Sequence, residues 1–210
     1  MQETPYPARL EIDYPERLDR LTTLLRLIWA IPILIIVGVI AGSETVVRIG
    51  EQGERIRTTG TNIAGSLAVA TALMIVFRQR YPRWWFDFQL GLARFTYRIG
   101  SYLALLRDEY PSTEDEQAVH LELDYPDAGQ LNRWLPLVKW LLAIPHYIVL
   151  VVLVLFTIVA VLVAWVAILV TGTYPRGLFD FVVGVGRWGL RVQAYALLLV
   201  TDRYPPFSLR

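Results

Sequence analysis

From Leu135 to Val170 the chain is almost wholly apolar, interrupted by Pro136, Lys139, Pro145, His146 and Thr157. A helix of that length would extend roughly 54 Å, against a bilayer hydrocarbon core of roughly 30 Å. The run is too long for one straight crossing and too apolar for the interior of a soluble domain of this size. It predicts a membrane protein. Composition agrees: of 210 residues, 55% are hydrophobic and 19% charged, away from soluble averages. Net charge is +1, which gives no electrostatic argument for nucleic acid. The chain has no cysteine, so disulfides and thiolate chemistry are excluded. The N-terminal stretch is polar and acidic before any apolar run, an order that fits no cleavable signal peptide.

The segments occur twice. Arg9-Leu-Glu-Ile-Asp13-Tyr14-Pro15 returns as His120-Leu-Glu-Leu-Asp124-Tyr125-Pro126. Ala30-Ile-Pro32, with Arg26 six residues before the proline, returns as Ala143-Ile-Pro145 with Lys139. Tyr81-Pro82-Arg83 and Phe86-Asp87-Phe88 return as Tyr174-Pro175-Arg176 and Phe179-Asp180-Phe181, and Asp108-Glu-Tyr-Pro111 as Asp202-Arg-Tyr-Pro205. This agreement predicts a tandem duplication.

Each copy reads in the same order. Alternating apolar and polar residues over 8–14 and 119–125 predict short strands, closed by proline. The spacing of Phe88, Leu92, Phe95, Ile99 and Leu103, with charges between them, predicts an amphipathic helix along the membrane surface. The prolines of the two Ala-Ile-Pro motifs should kink their helices, since proline removes one backbone bond and crowds the carbonyl four residues back.

Between Pro32 and Tyr81 lie 20 more residues than between Pro145 and Tyr174, and the excess matches the polar stretch 42–62. An insertion of that polarity belongs outside the bilayer. The equivalent point near Phe156-Thr157 is then expected to be a helix–helix turn, with one long tilted helix as the alternative. The expected fold is an all-α membrane protein of two tandem repeats, each a transmembrane hairpin plus an amphipathic interfacial helix, with a small cytoplasmic β element. The first repeat, 1–111, comprises strand 8–14, membrane helices 24–41 and 63–80 around external loop 42–62, and surface helix 84–107. The second, 112–210, comprises strand 119–125, membrane helices 135–155 and 158–172, and surface helix 177–200. Three of the 20 basic residues, Arg48, Arg55 and Arg57, fall in the loop 42–62. By the positive-inside bias this predicts a multi-pass protein of the inner (cytoplasmic) membrane with both termini cytoplasmic.

The pattern Leu-Glu-x-Asp-Tyr-Pro, then Ala-Ile-Pro-His, then Tyr-Pro-Arg-Gly-Leu-Phe-Asp-Phe-Val-Val-Gly, then Asp-Arg-Tyr-Pro-Pro-Phe resembles a bacterial integral-membrane family known only as a domain of unknown function. Residues 140–207 carry the resemblance most fully. The first copy departs from it, with Ile33 in place of the histidine and Trp84-Trp85 in place of Gly-Leu. The resemblance implies a fold and a bacterial membrane location, and no mechanism.

On the two surface helices, Asp87, Gly91, Arg94, Arg98 and Tyr102 repeat the spacing of Asp180, Gly184, Arg187, Arg191 and Tyr195, so each set shares one helical face. Paired arginines one turn apart suit a phosphate, which makes Arg94, Arg98, Arg187 and Arg191 candidates for a lipid headgroup. The bland reading has them anchor the helix and make ion pairs. Arg83 and Arg176 stand one turn before Asp87 and Asp180 and are expected to pair with them. Arg26 and Lys139 are expected to snorkel to the headgroups, and Tyr81 and Tyr174 to mark the interface. Phosphate loops, metal-ligand spacings and nucleophile elbows are not found, so no metal, cofactor or enzymatic activity is expected. The expected role is a non-enzymatic scaffold or accessory subunit that binds lipid headgroups, with a partner membrane protein or a homo-oligomer as the expected protein contacts; a small oligomeric transporter or channel is the alternative.

Overall fold

The computed structural model describes residues 5–41, 45–49, 55–59 and 63–210. Among them are six helices and two antiparallel strand pairs. The first pair joins chain segments far apart in sequence. β1 (Ala8–Ile12) lies antiparallel to β4 (Val119–Leu123), with Leu10 opposite Leu121. Period-two alternation buries Ala8, Leu10, Val119, Leu121 and Leu123 on one face. On the other, Arg9 bridges Glu122 at 3.2 Å and Asp124 at 2.8 Å.

The buried face is covered by two amphipathic helices, α3 (Arg83–Leu103) and α6 (Arg176–Ala196). Each starts directly after a Tyr-Pro, whose proline is extended and fixes the point of entry. Their coverage is crossed: α3 packs on β4, and α6 packs on β1. Neither half of the chain therefore keeps its own strand and helix together. Phe86, Ala93, Leu190 and Ala194 meet the sheet in the core this creates.

The apolar helices stand beside this layer: α1 (Arg20–Ala41), α2 (Ile63–Arg78), α4 (Pro136–Leu142) and α5 (Ile144–Thr171). Asp19 caps α1, its carboxylate accepting from Leu21 N at 2.8 Å and the Thr22 hydroxyl at 3.1 Å. Asn132 takes the matching position ahead of α4, accepting from Trp134 N at 3.0 Å. The chain breaks between α4 and α5 at Ala143, where Pro145 has no N–H to return to Leu141. α5 then runs unbroken for 28 residues, about 42 Å, to a left-handed Gly172 whose N–H bonds Ile168 O. Its outer face, Val151, Leu155, Val159, Leu162 and Val166, is exposed, while Ala160, Ala164 and Ile168 pack inward against the layer.

These helices correct the two-hairpin fold. The helix–helix turn expected near Phe156-Thr157 is not there. No glycine, proline or asparagine stands between His146 and Gly172, and the Thr157 hydroxyl returns to Leu153 O at 2.9 Å within the helix. α2 has 16 residues, about 24 Å, too short for a hydrocarbon core of roughly 30 Å. Among the described residues, α5 is the one helix long and apolar enough to cross a membrane. That overturns the expected multi-pass inner-membrane protein with both termini cytoplasmic, because arginine asymmetry orients only segments that cross. Of the expected external loop 42–62, residues 45–49 and 55–59 are β2 (Thr45–Ile49) and β3 (Arg55–Thr59), which pair antiparallel. The rest of that loop lies outside the described residues.

Candidate functional site

The four candidate arginines lie on α3 and α6, Arg191 buried, Arg98 and Arg187 half-buried and Arg94 exposed, and each reaches a main-chain carbonyl. Arg94 donates from Nε to Leu121 O at 3.0 Å, and Arg187 donates from Nε to Leu10 O at 2.8 Å. Leu10 and Leu121 face each other across the strand pair, so the two arginines clamp opposite strands at one rung. One turn on, Arg98 donates to Ser112 O at 2.6 Å. Arg191 donates to Arg210 O at 2.7 Å and to Ser208 O. Burial lowers the Arg191 pKa from its ordinary value, with the neighbouring Tyr6 opposing that shift. Tyr6 is itself pushed up by burial, and its hydroxyl donates to Arg203 O at 3.0 Å. The structure thus brings all four arginines onto main-chain carbonyls. Beside Arg94 and Arg98 a cavity of about 280 Å³ remains, with Glu116, His120 and Glu122 on its wall.

The expected supporting pairs are present but loose. Arg83 stands 3.7 Å from Asp87 and Arg176 stands 4.0 Å from Asp180, all exposed, a setting in which an ion pair contributes little. Their closer contacts are aromatic. Arg83 lies over the Tyr125 ring at 4.8 Å and Arg176 over the Tyr14 ring at 4.3 Å. Those tyrosine hydroxyls donate to Tyr81 O and Tyr174 O respectively, so each Tyr-Pro-Asp/Glu strand end is pinned to the start of a surface helix.

Arg26 and Lys139 are placed differently from the snorkelling expected of them. Both are buried. Arg26 is ion-paired with Asp108 and donates to Tyr102 O at 2.9 Å, with its guanidinium 4.5 Å from the Tyr102 ring centre. Lys139 is 2.7 Å from Asp202 and donates to Thr201 O at 2.7 Å, 5.1 Å from the Tyr195 ring centre. A buried cation needs an opposite charge and hydrogen-bond acceptors, and here the turns after α3 and α6 supply both. Asp108 and Asp202 also accept from Asp19 N at 2.8 Å and Asn132 N at 2.6 Å, tying these turns to the entries of α1 and α4. Tyr81 and Tyr174, expected at an interface, are buried too. Their hydroxyls reach Leu198 O at 2.8 Å and Ala104 O at 3.4 Å.

Sequence reading passed over Asp108 and Asp202 as partners, although both stand in the repeated Asp-x-Tyr-Pro, the one signal that marked them. His146 accepts from Trp188 Nε1 at Nδ1, 3.1 Å away, and stacks on Phe207 with ring centres 4.0 Å apart. Both partners come from beyond α5, so no local spacing announced them.

A clamped strand pair, two amphipathic helices that cover it and two buried cation–carboxylate knots make this a helical protein with an internal polar skeleton and an uncovered apolar side. Residues 134–208, which hold α4, α5, α6 and the segment after them, match the family model of a domain of unknown function, DUF4389. No curated protein and no solved structure matches the chain.

Proposed function

We propose that the protein is a non-enzymatic membrane scaffold or accessory subunit whose standing partner is lipid. The observation that carries this reading is the uncovered apolar side. Leu27, Ile31, Val69, Phe77, Trp140, Val151, Phe156 and Val170 are all exposed, spread over α1, α2, α4 and α5. Soluble monomers rarely expose contiguous apolar patches above a few hundred Å². Hydrocarbon covers such a surface without needing hydrogen bonds, and α5 is long enough to be held in it.

The non-enzymatic part of the reading is supported by how the charged groups are used. Arg26, Lys139, Arg98, Arg187 and Arg191 all donate to main-chain carbonyls. Groups engaged in this way hold the fold and are not free to bind a substrate.

We further propose that the chain is a duplication of the domain found at residues 134–208. Paired geometry supports it: Arg94 to Leu121 and Arg187 to Leu10, Tyr81 to Leu198 and Tyr174 to Ala104, Arg26 with Asp108 and Lys139 with Asp202. Leu105 and Leu199, at matching places after α3 and α6, share the left-handed backbone that non-glycine residues seldom adopt.

Vesicle flotation tests the membrane reading. The protein is expected to float with neutral phosphatidylcholine vesicles and to stay bound in 1 M salt, a condition of roughly 3 Å Debye length that removes surface electrostatics. A monodisperse protein in buffer without lipid or detergent would contradict it.

A further inference from the structure

Two turns of one kind close the apolar helices α2 and α5, and they carry different residues. After α5 the chain reads Thr171-Gly172-Thr173 before Tyr174-Pro175-Arg176; after α2 it reads Arg78-Gln79-Arg80 before Tyr81-Pro82-Arg83. Both turns need a left-handed residue, Gly172 at φ 76° and Gln79 at φ 44°. An arginine from elsewhere caps the helix carbonyls in each case: Arg20 donates to Val170 O, and Arg133 to Val76 O and Phe77 O. Glycine suits that backbone and glutamine does not. The α2 turn therefore departs from its counterpart by keeping a disfavoured side chain and gaining two arginines.

The fold makes no use of the side chains of those two arginines. Arg78 and Arg80 are exposed, and among the described residues neither side chain makes an ion pair or hydrogen bond. They line an open cleft of about 990 Å³ with Trp84, Tyr125 and Asp127. The Asp127 carboxylate is already occupied, accepting from Gly129 N at 3.0 Å and Gln130 Nε2 at 3.0 Å. The cleft thus offers two unspent guanidinium forks. Its apolar flank is equally open: Phe77 is 73% exposed and Trp84 67% exposed. Arginine and tryptophan at the end of an apolar helix is the arrangement that suits the headgroup level of a bilayer.

We propose that this cleft binds the phosphate of an anionic phospholipid, gripped by Arg78 and Arg80, with an acyl chain laid along the Phe77 side of α2. The proposal rests on the membrane reading above and adds to it a site and a lipid class. A guanidinium near a membrane surface contributes about fivefold in affinity for anionic lipid, so the pair contributes about thirtyfold.

The test uses the full chain in vesicles of phosphatidylcholine with a minor fraction of phosphatidylglycerol, measuring the lipid that co-purifies after mild extraction. The protein is expected to be enriched in phosphatidylglycerol over the bulk, and Arg78→Gln with Arg80→Gln to lose that enrichment while still floating with vesicles. Arg176→Gln, at the other turn, is expected to keep it. Arg78→Lys with Arg80→Lys, which keeps the charge, is expected to retain much of it and guards against a folding artefact, with helical circular dichroism as the check. Equal phosphatidylglycerol in a folded double-glutamine variant, or no enrichment in the wild type, would overturn the proposal. Displacement of the lipid by millimolar glycerophosphoglycerol, or equally tight binding of inorganic phosphate without a bilayer, would overturn the lipid as the source of the phosphate. Failure to float with any vesicle would instead strike the membrane reading beneath it.

Discussion

A carboxylate at Asp19 caps the entry of α1, and at the matching place a carboxamide, Asn132, holds the turn ahead of α4 through Trp134 N and Leu135 N. Bonds from Leu21 N and the Thr22 hydroxyl hold the Asp19 pKa below its ordinary 3.8. A depressed carboxylate pKa contributes stability that is present above the unfolded value and is lost as pH falls through the folded one. Asp19→Ala should therefore lower the melting temperature at pH 7, and the gap from wild type should close as the pH falls below the ordinary carboxylate range. Asp19→Asn should keep most of the stability and lose that pH dependence, because a carboxamide oxygen accepts the same bonds without a charge. Melting curves of the three proteins between pH 2 and pH 7 check both statements. At Lys139 the stakes are larger. Removing one partner of a buried ion pair costs roughly 3–5 kcal/mol, so Lys139→Met should destabilise strongly, and adding Asp202→Asn should restore part of the loss. Denaturant unfolding of the single and double variants measures it; equal stability of Lys139→Met and wild type would mean the pair is not holding the α6 turn. The sequence marked Arg26 and Lys139 by their repeated place ahead of a proline. It could not show their burial, because their carboxylate partners lie far along the chain and only the fold brings them in.

Elements were legible where a period was at work. Alternation marked β1 and β4, and the 3.6-residue spacing of apolar side chains marked α3 and α6, since in each one face is buried and the other is not. What failed was the long run 135–172, where nearly every side chain is apolar and a helix and a turn leave the same trace. The break came instead at Ala143, where Pro145 cannot complete the backbone ladder. The crossed coverage, α3 on β4 and α6 on β1, was also beyond reach, because two copies of one pattern do not say which strand each helix meets. Gly91 and Gly184 show how matching positions differ in the fold. A Cβ at Gly184 would lie 2.8 Å from Leu209 O, whereas one at Gly91 would meet nothing within 4 Å. Gly91→Ala should stabilise α3 by about 0.5–1 kcal/mol through helix propensity. Gly184→Ala should destabilise by roughly 1–3 kcal/mol through overpacking and displace residues 208–210. Thermal unfolding of the two variants, side by side, reads the difference.

At the scale of the whole molecule, the polar groups and the apolar surface are kept apart. Charged side chains clamp the sheet, the surface helices and their turns together, while α1, α2, α4 and α5 present aliphatic side chains outward. On the membrane reading proposed above, α5 lies in hydrocarbon with its inner face, Ala160, Ala164 and Ile168, against the folded layer. Because the chain has no cysteine, a single spin label can be placed at Val159 on the outer face of α5, with a second protein labelled at Glu114 in the polar linker as reference. The direct measurement is the label's collision rate with oxygen and with a water-soluble nickel complex, in phosphatidylcholine vesicles. The label at Val159 should meet oxygen readily and nickel rarely, and the label at Glu114 the reverse. Nickel access at Val159 equal to that at Glu114 would contradict the account, because the uncovered side of the molecule would then face water.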